Sequence, residues 1–181
     1  MSELHDLARE LGIDVPLLAN NNTCCTAAGS WHVAGDDGEP IVDLPAEDDY
    51  PCPATCTANW DGHIFRTVDG MEARLRGGGV TTAPIAVAEL QGGYFTGWGG
   101  PSYAQLGNAL GPSFTEVLDG SALGQGATLI SIYMAAGGTS WGYMAGPNTV
   151  TSYDYAAPIH EWGEPSTSYD ALKRTGMFVQ A

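Results

Sequence analysis

Apolar residues recur near the start of the chain at intervals of three and four: Leu4, Leu7, Ala8 and Leu11 share one face of a helix. Ser2 is placed to cap its start and Gly12 to end it. IDVPLLAN (13–20) then reads as a short buried strand, and IVDL (41–44) as another, running into the acidic stretch Glu47-Asp48-Asp49-Tyr50-Pro51. The polar, glycine-rich segment between them reads as a long loop. A weak helical pattern covers His63 to Leu75, closed by Gly77-Gly78-Gly79. PIAVAEL (84–90) and ATLISIYM (127–134) are nearly continuous apolar and β-branched runs, the pattern of strands buried on both faces. Between them Tyr103 to Leu118 reads as a helix interrupted at Gly111-Pro112, and Asp170 to Phe178 as a short closing helix. No internal repeat appears. Short apolar strands separated by helices predict an α/β fold with a parallel sheet. The chemically unusual residues follow strand ends, where β/α barrels hold their sites.

The 181 residues, 44% of them hydrophobic, suffice for one domain with a core. Twenty-one acidic residues face six basic ones, and Lys173 is the only lysine. A net charge of −15 repels nucleic acid and anionic membrane surfaces, which excludes both as expected partners. Met1 precedes the polar SELHDLARE, without the basic and apolar regions of a signal peptide; localisation is left unassigned. Cys24, Cys25, Cys52 and Cys56 do not have zinc spacing, and Cys52–Cys56 pairing and free thiols both stay open. Asn21-Asn22-Thr23 is a formal glycosylation sequon. His5, His32, His63 and His160 are scattered, with no protease motif around them. Walker, dinucleotide and G-x-S-x-G patterns are absent.

Chemistry concentrates in two stretches. AELQGGYFTGWGGP (88–101) places Glu89 at the end of an apolar strand, where a carboxylate is costly to bury unless hydrogen-bonded or used. SIYMAAGGTSWGYMAGPNTVTSYDYAAPIHEWGEP (131–165) runs from a strand through a glycine turn into an aromatic and acidic block. Together they resemble glycoside hydrolase family 35, the retaining β-galactosidases, whose members carry E-F-Q-G-G-x-F-x-x-W-G-G-P, L-Y-M-x-x-G-G-T-N-W-G and T-S-Y-D-Y. The likeness reaches from about Asp14 to Arg174 and is strongest after Ala88.

The resemblance implies a partial (β/α)8 barrel, approximately strands five to eight with their helices. Residues 1–181 would then form a single partial catalytic domain lacking the N-terminal half. It implies double displacement at a terminal β-galactosyl residue, with Glu89 as nucleophile and no metal or organic cofactor. A second carboxyl group, about 5–5.5 Å away, acts as acid and then base in such enzymes. In the family that group lies in an N-E-x tripeptide before a helix like 2–12, and no such tripeptide occurs here. Asp48, Asp49, Asp154, Glu161 and Glu164 stand near strand mouths, and none matches that position. Tyr50 in D-D-Y-P, Tyr133 in I-Y-M and Tyr155, the second tyrosine of T-S-Y-D-Y, resemble residues lining the galactose site. The same resemblance makes Tyr155 a candidate to hydrogen-bond the nucleophile. Trp98 and Trp141 follow strand ends, where indoles pack against sugars. In fungal-type relatives the cysteine resembling Cys56 pairs with one near the position of Leu106, a partner missing here.

Three departures accompany the likeness: Ser140 replaces the Asn of G-G-T-N-W, Asp49 the Ser of D-S-Y-P, and the segment before Glu89 is more compact and glycine-rich. Because the acid/base carboxylate is missing and sheet edges that barrel closure would hide are left exposed, weak or absent activity is expected of the 181 residues alone. Two other readings stay open: a non-catalytic, galactoside-binding or decayed fragment, and a half-barrel completed by an N-terminal half or a second copy of itself.

Overall fold

The computed structural model describes residues 2–21, 40–51, 83–142, 144–146 and 149–181. Helix α1 (Ser2–Glu10) leads to β1 (Leu18–Asn21), followed by β2 (Leu44–Asp49) and β3 (Ile85–Gln91). Then come α2 (Tyr103–Gly124), β4 (Ala127–Tyr133), the two-residue strands β5 (Gly138–Thr139) and β6 (Ser152–Tyr153), and α3 (Thr167–Gln180). Strands β1 to β4 form one sheet in sequential order with every pair parallel. This is a mixed α/β fold compatible with part of a β/α barrel. The expected helix at 63–75, the three glycines after it, the sequon beyond Asn21 and all four cysteines lie outside the described residues.

Helix α1 ends as its sequence predicts. Gly12 takes φ +81°, Gly12 N–H donates to the Arg9 carbonyl (3.0 Å) and Ile13 N–H to the Ala8 carbonyl (3.0 Å), a Schellman closure. Arg9 then ties the helix to the sheet, donating to the Ile13 and Val15 carbonyls (2.7 and 2.9 Å) and to Asp43. The Leu17 N–H donates to the same carboxylate (2.7 Å) and, with Arg9, holds Asp43 below the usual carboxylate range.

The expected strand at 13–20 is shorter and less buried than its apolar pattern suggests. Ile13 and Val15 are exposed, Pro16 has no N–H to give a ladder, and pairing begins only at Leu18. The expected strand at 41–44 is displaced toward the C-terminus. Pairing starts at Leu44 and continues through Glu47, Asp48 and Asp49, all three buried. Their charge reads as loop in the sequence, yet the parallel neighbours on both sides carry the backbone straight through.

Strand β3 holds the core. Leu110, Phe114, Leu118 and Ala122 repeat every four residues on α2 and close over Ile85, Val87 and Leu90, with Ala127 of β4 completing the cluster. Each such large side chain contributes roughly 1.5–3 kcal/mol by leaving water. Gly111 (φ 64°, ψ 176°) and Pro112 kink the helix where the sequence predicts an interruption, but the helix resumes and runs six residues past Leu118. The Ser102 hydroxyl and Gln105 form a reciprocal capping box at its start. β4 is more exposed than its apolar run suggests, because it pairs only with β3 among the described residues. The closing helix begins at Thr167, capped by Ser166, and runs to Gln180.

Pairing between β2 and β3 carries one irregularity with large consequences. Glu47 lies opposite Val87, but Asp48 lies opposite Glu89, so Ala88 is passed over. Strict alternation would put Glu89 on the face of Ile85 and Val87, beneath α2. The bulge sends Leu90 into that core instead and leaves Glu89 to the other side.

One carboxylate was driven into apolar surroundings. Asp119 of α2 is 3% exposed, and its Oδ2 has no hydrogen-bond partner among the described residues. It borders a cavity of about 380 Å³ lined by Ile130, Ile132 and Leu172, and burial pushes its carboxyl up to about 7. Folded protein therefore holds this proton at pH values where the unfolded chain, near 3.8, releases it. Stability contributed by the neutral acid is complete below about pH 4 and falls as pH rises toward 7. Asp119→Asn should remove that slope. Urea unfolding across pH 4–8 should show a gain on the order of 3 kcal/mol at pH 8 that vanishes at pH 4.

Candidate active site

Glu89, two residues before the end of β3, receives one donor at each carboxylate oxygen. Asn20 Nδ2, at the end of β1, donates to Oε1 (3.0 Å), and the Tyr50 hydroxyl, just past β2, donates to Oε2. Two strand spacings of about 4.8 Å separate β1 from β3, so the amide and the carboxylate meet across β2. Burial, and then the hydrogen bond to Glu89, push the Tyr50 hydroxyl far up from its ordinary value. It stays protonated and donates to the carboxylate. An amide cannot ionise either. The carboxylate is thus oriented by two neutral groups.

Tyrosines wall the site. The Tyr133 ring meets Tyr50 edge to face (5.9 Å, 80°) and Tyr155 in the same manner (5.5 Å, 84°). Tyr155 also stacks on Tyr153 (5.3 Å, 26°) and lies beside Tyr94 (6.2 Å). The Tyr133 and Tyr153 hydroxyls approach to 3.4 Å. Burial is the main cause that raises the hydroxyls of Tyr153 and Tyr155 well above the ordinary tyrosine range.

The segment carrying Tyr155 is held by a buried anion. Asp154 is 1% exposed, and its carboxylate accepts from the N–H groups of Ala156 (3.2 Å) and Glu161 (2.9 Å) and faces His160 Nδ1 (3.0 Å). These bonds offset the cost of left-handed backbone at Tyr155 (φ 65°) and Ala156 (φ 50°), about 1–2 kcal/mol per residue. Glu161 accepts from Thr139 and Ser152 (2.8 and 2.7 Å) and joins β5 to β6. Tyr94 N–H donates to the Tyr155 carbonyl (2.8 Å), and Gly93 makes that approach possible: a Cβ there would lie 1.9 Å from the same oxygen.

Four of the expected site residues therefore meet: Glu89, Tyr50, Tyr133 and Tyr155. The hydroxyl bonded to Glu89 belongs to Tyr50, whereas Tyr155 contributes ring contacts. Trp98 and Trp141 stand apart from this cluster with 83% and 94% of their surface exposed. Asp154 and Glu161 are occupied with backbone and hydroxyl donors that fix the loop. Asn20, Tyr94 and Tyr153 are the residues that sequence reasoning passed over. An asparagine closing an apolar strand was the available signal for Asn20; Tyr94 and Tyr153 sit inside the very motifs that drew attention. Among the described residues, no group of three or more His, Cys, Asp or Glu side chains is placed to hold a metal ion.

A carboxylate held at the C-terminal end of a parallel sheet stands where β/α barrels carry their active sites. The chain belongs to the glycosyl hydrolases family 35, whose profile matches residues 17–179. It is 35% identical over 180 residues to a probable beta-galactosidase C of Sclerotinia sclerotiorum, covering 99% of this chain. It is 34% identical over 181 residues to the corresponding protein of Talaromyces marneffei. A probable beta-galactosidase A of Neosartorya fischeri is 35% identical over 188 residues, covering the whole chain. The chain spans 18% of the length of each of these relatives.

Close backbone packing at Gly93 yields a direct check. Gly93→Ala should destabilise the fold by about 3 kcal/mol or more, because its methyl meets backbone rather than a yielding side chain. Gly120→Ala, in α2 with nothing within 4 Å, should instead gain up to about 1 kcal/mol. Urea unfolding of the two variants decides it; equal stabilities would mean that the Tyr155 loop does not rest on this glycine.

Proposed function

We propose that this chain is part of a retaining β-galactosidase and that Glu89 is its nucleophile. The observation that carries the reading is the two-donor clamp on Glu89, which orients a carboxylate without transferring a proton to it. Glu89 attacks the anomeric carbon of a terminal β-galactosyl residue, and the bond to the leaving oxygen breaks. The glycosyl-enzyme ester that forms is then opened by water, which returns the carboxylate and releases galactose with its configuration retained. Tyr50, Tyr133 and Tyr155 line the sugar site in this reading, with Asn20 and Tyr50 fixing the attacking oxygens. Trp98 and Trp141 offer indole faces for a sugar at the rim.

The four parallel strands correspond in this reading to the last four of an eight-stranded barrel, and residues 1–181 to part of one catalytic domain. No carboxylate here matches the family's acid/base position, and general acid–base catalysis typically contributes 10²–10⁴-fold. The acid is supplied in this reading by further β/α units of an N-terminal half. Exposed apolar residues toward both ends of the sheet support this: Leu4 and Leu7 of α1 with Leu11 just after it, which precede β1, and Leu129 and Val179 at the β4 side. The 181 residues alone should turn over lactose weakly or not at all.

An activated galactoside separates the nucleophile from the acid. A 2-deoxy-2-fluoro-β-galactosyl donor with a dinitrophenolate leaving group needs no protonation to depart. Incubated with the protein, it should leave one sugar ester on the peptide containing Glu89, seen by mass spectrometry, and Glu89→Gln should abolish it. An adduct elsewhere, or none, would overturn the assignment. Tyr50→Phe and Asn20→Ala should each slow labelling about 10- to 100-fold, the range set by ~1.5–3 kcal/mol for a hydrogen bond to a charged group.

A further inference from the structure

The turn after the Tyr155 loop displays an aromatic ring that the Glu89 site does not use. His160 N–H donates to the Glu164 carbonyl (2.9 Å), and Gly163 N–H, from a glycine at φ +92°, to the His160 carbonyl (2.8 Å). Trp162 at the tip stacks flat on the His160 ring, 4.4 Å apart at 8°. Its Nε1 donates to Glu164 Oε2 (3.0 Å), while His160 is itself anchored through Nδ1 on buried Asp154. The indole is thus fixed on one face and at its edge, yet 61% of the residue remains exposed. A ring needed only for packing would be turned inward, because exposing an indole forgoes the burial that such side chains ordinarily supply.

Trp162 borders a pocket of about 480 Å³ between the first turns of α2 and α3. Tyr103, Asn108, His160 and Ser168 line it; the Tyr103 hydroxyl donates to the Ser152 carbonyl (2.8 Å) and His160 Nδ1 faces Asp154, which leaves Asn108 and Ser168 as the uncommitted polar residues among these four. No lysine or arginine lines it, and Asp154 lies in the wall, so anions are disfavoured. Uncharged donors and acceptors beside a pinned aromatic face suit a neutral polyhydroxylated ring: hydroxyls reach the polar groups and a C–H face lies on the indole. The size falls in the ordinary range for small-molecule sites.

We propose that the Trp162 face and this pocket form a second carbohydrate site for a pyranose of a β-galactoside chain. Only the identity of the sugar rests on the galactosidase reading. Helices α2 and α3 follow β3 and β4, so their first turns lie on the same side of the sheet as Glu89. Consecutive residues divide the two sites: Tyr155 joins the rings around Glu89, and Asp154 backs the pocket. An oligosaccharide can be gathered here without occupying the reactive carboxylate.

The test is a titration of the full chain carrying Glu89→Gln with a β-linked galacto-oligosaccharide, followed by tryptophan fluorescence and calorimetry. Binding should persist in that background, and Trp162→Ala should weaken it by about tenfold or more, with Trp162→Phe falling between. In the chain with Glu89 intact, labelling by the activated fluorogalactoside and the melting temperature should be unchanged by Trp162→Ala. Unchanged oligosaccharide affinity in Trp162→Ala would overturn the proposal, as would an indole shielded from acrylamide by another segment of the protein. The two readings fail separately: lost labelling at Glu89 with intact Trp162-dependent binding sinks the nucleophile alone, and the converse sinks the second site alone.

Discussion

One irregularity in strand pairing sets the rest of the arrangement. Side chains of a strand alternate between faces, and a shift of one residue exchanges them all. Ile85 and Val87 face the core under α2, so an unbroken β3 would carry Glu89 into the same apolar layer. The bulge at Ala88 resets the alternation, and Leu90 takes the core position. Glu89 then meets donors from β1 and from the end of β2. A half-buried carboxylate without them would carry a desolvation cost of several kcal/mol. Fold and site are therefore coupled at one residue: the same displacement completes the hydrophobic cluster and frees the carboxylate.

The second fixed point is Asp154. Its buried charge accepts two backbone N–H groups and faces an imidazole, the supply of partners that lets an anion stay in an interior. In return the backbone at Tyr155 and Ala156 is held in the left-handed region. Tyr155 meets Tyr133 from that conformation. A loop of ordinary conformation would carry its ring elsewhere, and the glycine at 93 would have no close neighbour to accommodate. Polar burial at one residue and aromatic placement at the next are two sides of the same constraint.

How much of this could be read from the chain differs by element. β3 and the helix after it were visible because burial on both faces writes a continuous apolar run, and Gly111-Pro112 marks its kink locally. β2 was misplaced because three acids spell loop to any local pattern, and only pairing with β1 and β3 explains their burial. β4 looked more buried than it is, since an apolar run does not say what covers it. Glu89, Tyr50, Tyr133 and Tyr155 were recognisable through their motifs. Asn20 was not: its partner lies 69 residues away and two strands across. The stabilising use of Asp154 was equally hidden, because hydrogen bonds that curl a chain back on itself leave no periodic trace.

The chemistry of the clamp agrees with the composition of the chain as a whole. Six basic residues serve 181, and none of those described touches Glu89; the carboxylate is held by a phenol and an amide instead. A lysine or arginine would bind the anion more strongly through its charge, and on the proposed reading the same attraction would oppose its attack on an anomeric carbon. Neutral donors fix direction with a weaker hold, since a hydrogen bond without an ionic donor lacks the full Coulomb attraction of an ion pair. Burial also keeps the Tyr50 and Tyr155 hydroxyls protonated far above neutrality, so neither changes charge near neutral pH. On the proposed reading, the long-range field of so acidic a protein does nothing to steer an uncharged sugar. Specificity would then reside in short contacts of this kind, made by a wall of tyrosines around one oriented carboxylate.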